Sequence, residues 1–293
     1  MTSNLGTSNP PSPAAGVASS VNQSLTPLTD SAGTYVSPAA SPGFFARLFP
    51  TLLFYTIFLT TVLRYSWIAQ RGRYGDAEWY QSSLDVLRSL EHIGARIHIT
   101  GMDVVASLNS PCVFVANHMS TLETIFLPGI VQPYKDCTFV VKRALVELPI
   151  FRDILLARAP IAVDRVNPRD DLARVLREGK ALLEKGRSII VFPQTTRTLY
   201  FDPAQFNSIG VKLARDAGVP IIPVAVRSDA WGIGRWIKEF GKINPRLPVH
   251  FAFGQAVQVT GRGTAAHQAV LEHITTHLRQ WGVAVKPPAQ TSA

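Results

Sequence analysis

The sequence predicts an α/β fold, a mostly parallel central sheet flanked by helices, with an N-terminal membrane-associating helical segment. Three observations predict it. From about residue 75, short apolar runs alternate with amphipathic stretches, as strands joined by crossover helices do. Several of the runs are apolar at every position, which suits strands buried on both faces of a parallel sheet. Ahead of them, sixteen residues without a charge separate Arg47 from Arg64.

The chain has 293 residues, enough for one large domain or two small ones with a well-buried core. Residues 1–40 are rich in Ser, Thr, Pro, Gly and Ala and nearly uncharged. Such a stretch buries too little surface to offset its ordering entropy, so a disordered tail is expected over 1–40. It has no basic start followed directly by an apolar core, and so does not read as a secretory signal. Residues 44–70 follow as a membrane anchor or interfacial helix. The uncharged stretch would make about 24 Å of helix, slightly short of a hydrocarbon core of about 30 Å. Tyr65 and Trp67 stand at its end, as in an interfacial belt. Arg64, Arg71 and Arg73 outnumber Arg47 across it, which would put the following domain in the cytoplasm if the helix spans. A half-inserted helix suits the same residues, and a buried core helix is the soluble reading.

The domain is expected over 75–285. Residues 76–92 are amphipathic and helical, with Leu84, Leu87 and Leu90 recurring on one side. RIHIT at 96–100 alternates as a half-buried strand does. CVFVA at 112–116, TFVV at 138–141 and PIAVD at 160–164 are further strands. Residues 167–186 make the clearest helix: Asn167 caps it, Pro168 suits its first turn, Asp170 and Asp171 favour its positive end, and Gly186 closes it. SIIVFP at 188–193 is a buried central strand. A helix over 205–217 stops at Gly218 and Pro220. Strands at 221–226 and 249–254 and a helix at 265–281 complete the pattern.

The net charge of +9 suits an anionic lipid, a phosphorylated substrate or nucleic acid. No zinc-finger spacing, aromatic RNA-binding motif or basic helical run supports the last. Two cysteines, Cys112 and Cys137, make no disulfide framework.

Three strand ends carry groups that could do chemistry. After 112–116 come Asn117, His118 and Glu123. A carboxylate can hold one imidazole nitrogen as N–H and leave the other as a base. Five residues apart, the pair shares no helical face, so His118 must precede a helix and Glu123 lie in its first turns, with Ser120 or Thr121 as cap. After 188–193 come Gln194, Thr195, Thr196, Arg197 and Thr198, an Arg among hydroxyls that suits a phosphate. After 138–141 come Lys142 and Arg143. A parallel sheet would gather these ends into one basic, hydroxyl-rich pocket. There is no G-x-S-x-G elbow, P-loop or H-E-x-x-H, so general-base catalysis is the economical reading. His118 takes a proton from a substrate hydroxyl, which attacks an acyl carbonyl.

These motifs resemble those of the glycerolipid acyltransferase family typified by 1-acylglycerol-3-phosphate acyltransferases. The family's N-H-x-x-x-x-D is matched by Asn117, His118 and, with a change, Glu123. F-P-E-G-T-R-S/T is matched by Phe192, Pro193, Thr196, Arg197 and Thr198. Lys142, Pro149 and Arg165 look like the second motif, and Val219, Pro220, Ile221, Pro223 and Val224 look like the V-P-I-x-P-V run. The order and spacing agree over about residues 95–260. The resemblance implies acyl transfer from acyl-CoA or acyl-carrier protein to a lysophospholipid hydroxyl, with no metal or prosthetic group. It implies His118 as base, Glu123 as its orienting partner, and Lys142 and Arg197 on the acceptor's phosphate. Asn117, Arg165, Gln194, Thr195, Thr196 and Thr198 complete the expected substrate-binding set. Glu123, Gln194 and Thr195 depart from Asp, Glu and Gly. Thr195 requires a turn without positive φ, and Gln194 points to an altered head-group preference. Another lysolipid acceptor, or a non-catalytic lipid-binding member, are the readings these departures support.

Overall fold

The computed structural model describes residues 25–39 and 41–287. In chain order the elements are β1 (Tyr35–Val36), α1 (Phe44–Leu48), α2 (Pro50–Gln70), α3 (Asp76–His92), β2 (Ile97–Thr100), α4 (Met102–Ser107), β3 (Val113–Ala116), α5 (Leu122–Val131), β4 (Cys137–Lys142), α6 (Arg143–Val146), α7 (Pro149–Ala157), β5 (Ile161–Val163), α8 (Pro168–Glu184), β6 (Ser188–Val191), α9 (Ile209–Ala217), β7 (Ile221–Arg227), β8 (Val249–Phe253) and α10 (Thr264–Gln280). The strands form one sheet in the order β1-β2-β8-β7-β3-β6-β4-β5. Pairing is parallel except between β1 and β2 and between β7 and β8.

Helices cover both faces, and the pleat sorts the strand residues between them. On β3, Phe114 and Ala116 join the core beneath α3 and α5, whereas Val113 and Val115 join the core beneath α8, α9 and α10. This is why β3 and β6 read as unbroken apolar runs: every residue of both is buried. Helix ends follow the expected chemistry. Asn167 Oδ1 accepts from the Arg169 N–H at the start of α8, and left-handed Gly218 ends α9. Residues 203–205 form a separate 3₁₀ turn where the α9 helix was expected to begin.

The expected tail is corrected in its last third. Residues 1–24 and 40 lie outside the described residues. Within 25–39, however, β1 pairs antiparallel with β2, and the Tyr35 and Ser37 hydroxyls donate to Glu91 Oε1 at 2.6 and 2.5 Å. Local composition underestimates order here because the stabilising partners lie more than fifty residues away.

α2 is the one helix among the described residues long and apolar enough to cross a membrane. Phe54, Phe58, Val62 and Tyr65 recur at helical spacing and are buried, while Leu52, Leu59, Leu63 and Trp67 are exposed. The inward stripe is tied along its length. The Tyr55 hydroxyl donates to the Gly241 carbonyl (2.6 Å), Tyr65 to Asp85 (3.0 Å) and Gln70 to Asp153 (3.0 Å).

Candidate active site

β3, β6 and β4 are neighbours and parallel, so their C-terminal ends share one edge of the sheet, as expected. β7, on the other side of β3, contributes a fourth end.

The segment after β3 turns once and enters α5, with Glu123 its second residue and Thr121 at the N-cap position. That geometry lets Glu123 reach back past the helix start. Its carboxylate accepts from the Met119 N–H (2.6 Å), the Ser120 N–H (2.8 Å), the Ser120 hydroxyl (3.0 Å), the Ser228 hydroxyl (2.5 Å) and His118 Nδ1 (2.9 Å). It therefore serves as its own helix cap, in place of the Thr121 side chain. The Ser120 hydroxyl accepts from the Leu122 N–H instead. Glu123 is 0 % exposed. Burial pushes its carboxyl up. The hydrogen bonds and charge of His118, with Ser228 and Ser120, outweigh that and hold it below the ordinary carboxylate range. An ionised carboxylate at Nδ1 favours the ring proton there and leaves the Nε2 lone pair free. The His118 side chain is 13 % exposed, and its ring stacks on Phe192 at 4.6 Å between centroids.

Two residues expected to bind substrate are bonded to other parts of the protein. Asn117 is buried, and its amide exchanges both bonds with the Val226 backbone on β7 (2.8 and 2.7 Å), fastening the end of β3. Gln194 is buried too. It accepts from the His118 N–H (2.7 Å) and donates to the Thr198 hydroxyl (3.1 Å), while the Thr198 N–H donates to the His118 carbonyl (3.2 Å). Gln194 and Thr198 thus lock the turn after β6 to the backbone of His118. The altered head-group preference expected from Gln194 loses its motive, because the amide is engaged with protein on both sides. Thr195 and Thr196 are exposed, and Thr195 has no positive φ, as its replacement of Gly requires.

The cations form the outer part. Arg197 donates to the Thr121 hydroxyl (2.5 Å) and pairs with Glu239 (2.6 Å). Arg165 has a left-handed backbone, φ +60°, held by the Asp171 carboxylate, which accepts the Asp164 and Arg165 N–H groups (3.0 and 2.8 Å). Its guanidinium donates to the Thr195 carbonyl. Desolvation of that guanidinium, opposed by Asp171 and aided by the charge of Arg197, lowers its pKa. Lys142 ends β4, exposed, its side chain with no hydrogen bond or ion pair among the described residues, whereas Arg143 is paired with Asp164. The structure therefore joins His118, Glu123, Gln194 and Thr198 through direct bonds. Arg197 is linked through Thr121, Arg165 through Thr195, and Lys142 stands apart on its strand end.

Ser228 and Glu239 were not singled out from the sequence, where Ser120 stood only as a helix cap and Phe192 only as part of a motif. Ser228 follows β7 directly, so its place at a fourth strand end was a usable signal. Glu239 lies in the long connection between β7 and β8, where no periodic pattern marked it.

Residues 96–227 match the family model described as Acyltransferase. Over 174 residues the chain is 32 % identical to the 1-acyl-sn-glycerol-3-phosphate acyltransferase of Pseudomonas aeruginosa, covering 59 % of this chain and 63 % of that protein. It is 28 % identical over 128 residues to a chloroplastic 1-acyl-sn-glycerol-3-phosphate acyltransferase of Brassica napus, covering 44 % and 36 %. The chain thus matches less than two thirds of either relative's length. The crystal structure of the 1-acyl-sn-glycerophosphate acyltransferase from Thermotoga maritima superposes with a TM-score of 0.60 at 18 % identity, covering 82 % of this chain and 98 % of that one. That likeness establishes the shared fold.

Proposed function

We propose, on the premise that residues 96–227 form a domain of the Acyltransferase family, that the protein transfers a fatty acyl group to a lysophospholipid. The donor is an acyl thioester, acyl-CoA or acyl-carrier protein. The acceptor is 1-acylglycerol 3-phosphate, and the product is phosphatidate. The carrying observation is His118 Nδ1 at 2.9 Å from a fully buried Glu123 carboxylate, with Arg197 reached from the adjoining strand end.

Nε2 of His118 takes the proton of the acceptor hydroxyl as its oxygen attacks the thioester carbonyl. The imidazolium so formed is stabilised by Glu123, which stays ionised. The tetrahedral intermediate collapses with cleavage of the C–S bond, and the imidazolium returns its proton to the departing thiolate. Arg197, with Arg165 and Lys142, binds the acceptor's phosphate, since a guanidinium fork matches its oxygens. Thr195 and Thr196 offer hydroxyls beside it. α2 supports an interfacial placement over a spanning one: crossing a bilayer would strip contacts made from Thr51 to Gln70. A cytoplasmic placement of the domain rests on Arg64, Arg71 and Arg73, cations that suit the anionic cytoplasmic leaflet.

The test is acyl transfer from labelled acyl-CoA and acyl-carrier protein to a panel of lysolipids, with His118→Ala as control. Product from lysophosphatidate that depends on His118 is the expected result. Equal product from His118→Ala would remove the mechanism.

A further inference from the structure

Between β7 and β8 the chain leaves the sheet and returns through a narrow neck. Trp231 and Ile243 pair as an antiparallel bridge, and the Gly232 N–H donates to the Lys242 carbonyl at 3.0 Å. The limbs touch so closely that a Cβ on Gly241 would lie 1.8 Å from the Gly232 carbonyl oxygen. The neck is fixed to α2. Trp231 is fully buried against Phe54 and Phe58, Tyr55 donates to the Gly241 carbonyl, and Thr51 bonds the Ile243 backbone (3.3 and 3.2 Å). Beyond the neck, the tip exposes Trp236 at 91 % and Ile237 at 58 %, between exposed Arg235 and Lys238. Two residues after Ile237, Glu239 turns inward and pairs with Arg197 at 2.6 Å. Its carbonyl accepts from Trp231 Nε1 (3.0 Å) and the Thr121 hydroxyl (3.3 Å).

We propose that residues 234–238 dock on an anionic lipid surface, and that Glu239 is a latch holding the guanidinium of Arg197 until the tip docks. An exposed Trp–Ile pair between two cations is complementary to an anionic bilayer: the rings enter the interface and the charges meet head groups. The occupant follows also from continuity, since the neck is bonded to α2, whose outer side exposes Leu52, Leu59, Leu63 and Trp67. The latch follows from stoichiometry. A carboxylate and a phosphate compete for the same guanidinium N–H groups, and Glu239 accepts from Nη2 while the Thr121 hydroxyl accepts from Nη1. Because Trp236 and Glu239 are three residues apart on one loop, movement of the tip is transmitted to the carboxylate. The latch rests on the reading of Arg197 as the phosphate ligand; the docking does not.

Both parts are tested on the full chain. Docking is read as quenching of tryptophan emission by brominated lipid, in vesicles of phosphatidylglycerol and of phosphatidylcholine, with Trp236→Phe as reference. Quenching specific to phosphatidylglycerol and diminished in Trp236→Phe is expected. Equal quenching in both variants, or in both lipids, overturns the docking. The latch is read without turnover, as the Kd for a short-chain lysophosphatidate in solution. Glu239→Gln should bind about five-fold tighter, on the order of one released, partly exposed ion pair. An unchanged or weaker Kd in a Glu239→Gln protein with wild-type Tm overturns the latch, and a second variant, Glu239→Ser, covers the case where Gln misfolds. Trp236→Ser with Ile237→Ser should keep activity in detergent and lose its stimulation by phosphatidylglycerol vesicles; retained stimulation overturns the coupling. Tighter lysophosphatidate binding by Glu239→Gln in a protein without acyl transfer would sink the catalytic reading alone.

Discussion

Glu123 and Glu239 both hold a basic side chain of the site, at 2.9 and 2.6 Å, and they are built in opposite ways. Glu123 sits in the first turn of α5 at the end of a central strand, fully buried, with both oxygens bonded to backbone and hydroxyl donors as well as to His118. Glu239 sits on a loop beyond a glycine neck, 24 % exposed in its side chain, and only one of its carboxylate oxygens meets a cation. The pair at His118 is fixed by the fold through those further bonds, which is what the proposed role of a base, one geometry toward its substrate, would require. The pair at Arg197 has fewer bonds to break, which suits the proposed role of a phosphate ligand that is vacated and refilled. The difference teaches that carboxylate–cation distance does not by itself tell a machine part from a placeholder; the number and burial of the remaining partners does.

The contrast can be broken at several points. The largest effect is expected at His118→Ala, with kcat reduced on the order of 10²- to 10⁴-fold, the usual worth of a general base. Wild-type kcat in that variant would dissolve the distinction. Glu123→Gln should lower kcat about 10²-fold or more, since a neutral amide no longer stabilises the imidazolium. It should also lower stability by about 1–3 kcal/mol, because a buried bonding set tuned to two acceptors receives an N–H₂. The same variant sharpens the pH behaviour. The folded carboxyl of Glu123 is held below its unfolded value, so its contribution is present above the unfolded pKa of about 4.3 and lost as pH falls through the folded value. Thermal melts from pH 7 to 3 should show that loss in wild type and a shallower acid limb in Glu123→Gln; superposable limbs would contradict it.

Smaller is Arg197→Lys, expected to raise KM for the acceptor about ten-fold with kcat little changed, since a point charge replaces a planar fork. A kcat loss without a KM change would make Arg197 part of the fixed half. The smallest effect is expected at Gln194→Glu. Its amide faces His118 and Thr198 rather than solvent, so the ranking of lysolipid acceptors should stay as in wild type. A reordered ranking would return Gln194 to the acceptor site.

What was legible follows from the range of the signal. The strands at 112–116 and 188–193 are readable because burial on both faces leaves an unbroken apolar run, and the helix at 167–186 because Asn167, Pro168 and Asp171 mark its start locally. His118 and Glu123 were readable together because both lie on one strand–helix junction. The backbone bonds of Asn117 and Gln194 were not legible for a common reason: the partner, Val226 or the His118 N–H, is brought near only in three dimensions. Tyr35 and Ser37 were lost to the tail because Glu91 is distant in sequence. Glu239 was unreadable in principle, since its position depends on an irregular loop whose path is set by Trp231 and α2.

The attachments of α2 have a geometric consequence. Thr51 and Tyr55 fasten one end to the loop after β7, and Gln70 fastens the other to Asp153. A rod pinned at both ends cannot change its tilt without carrying the whole body with it. On the proposed interfacial placement of α2, the rod would act as a waterline, setting at one height the level of His118 above the hydrocarbon. Under that proposal, acceptors would be selected by the depth of their hydroxyl as well as by their charge.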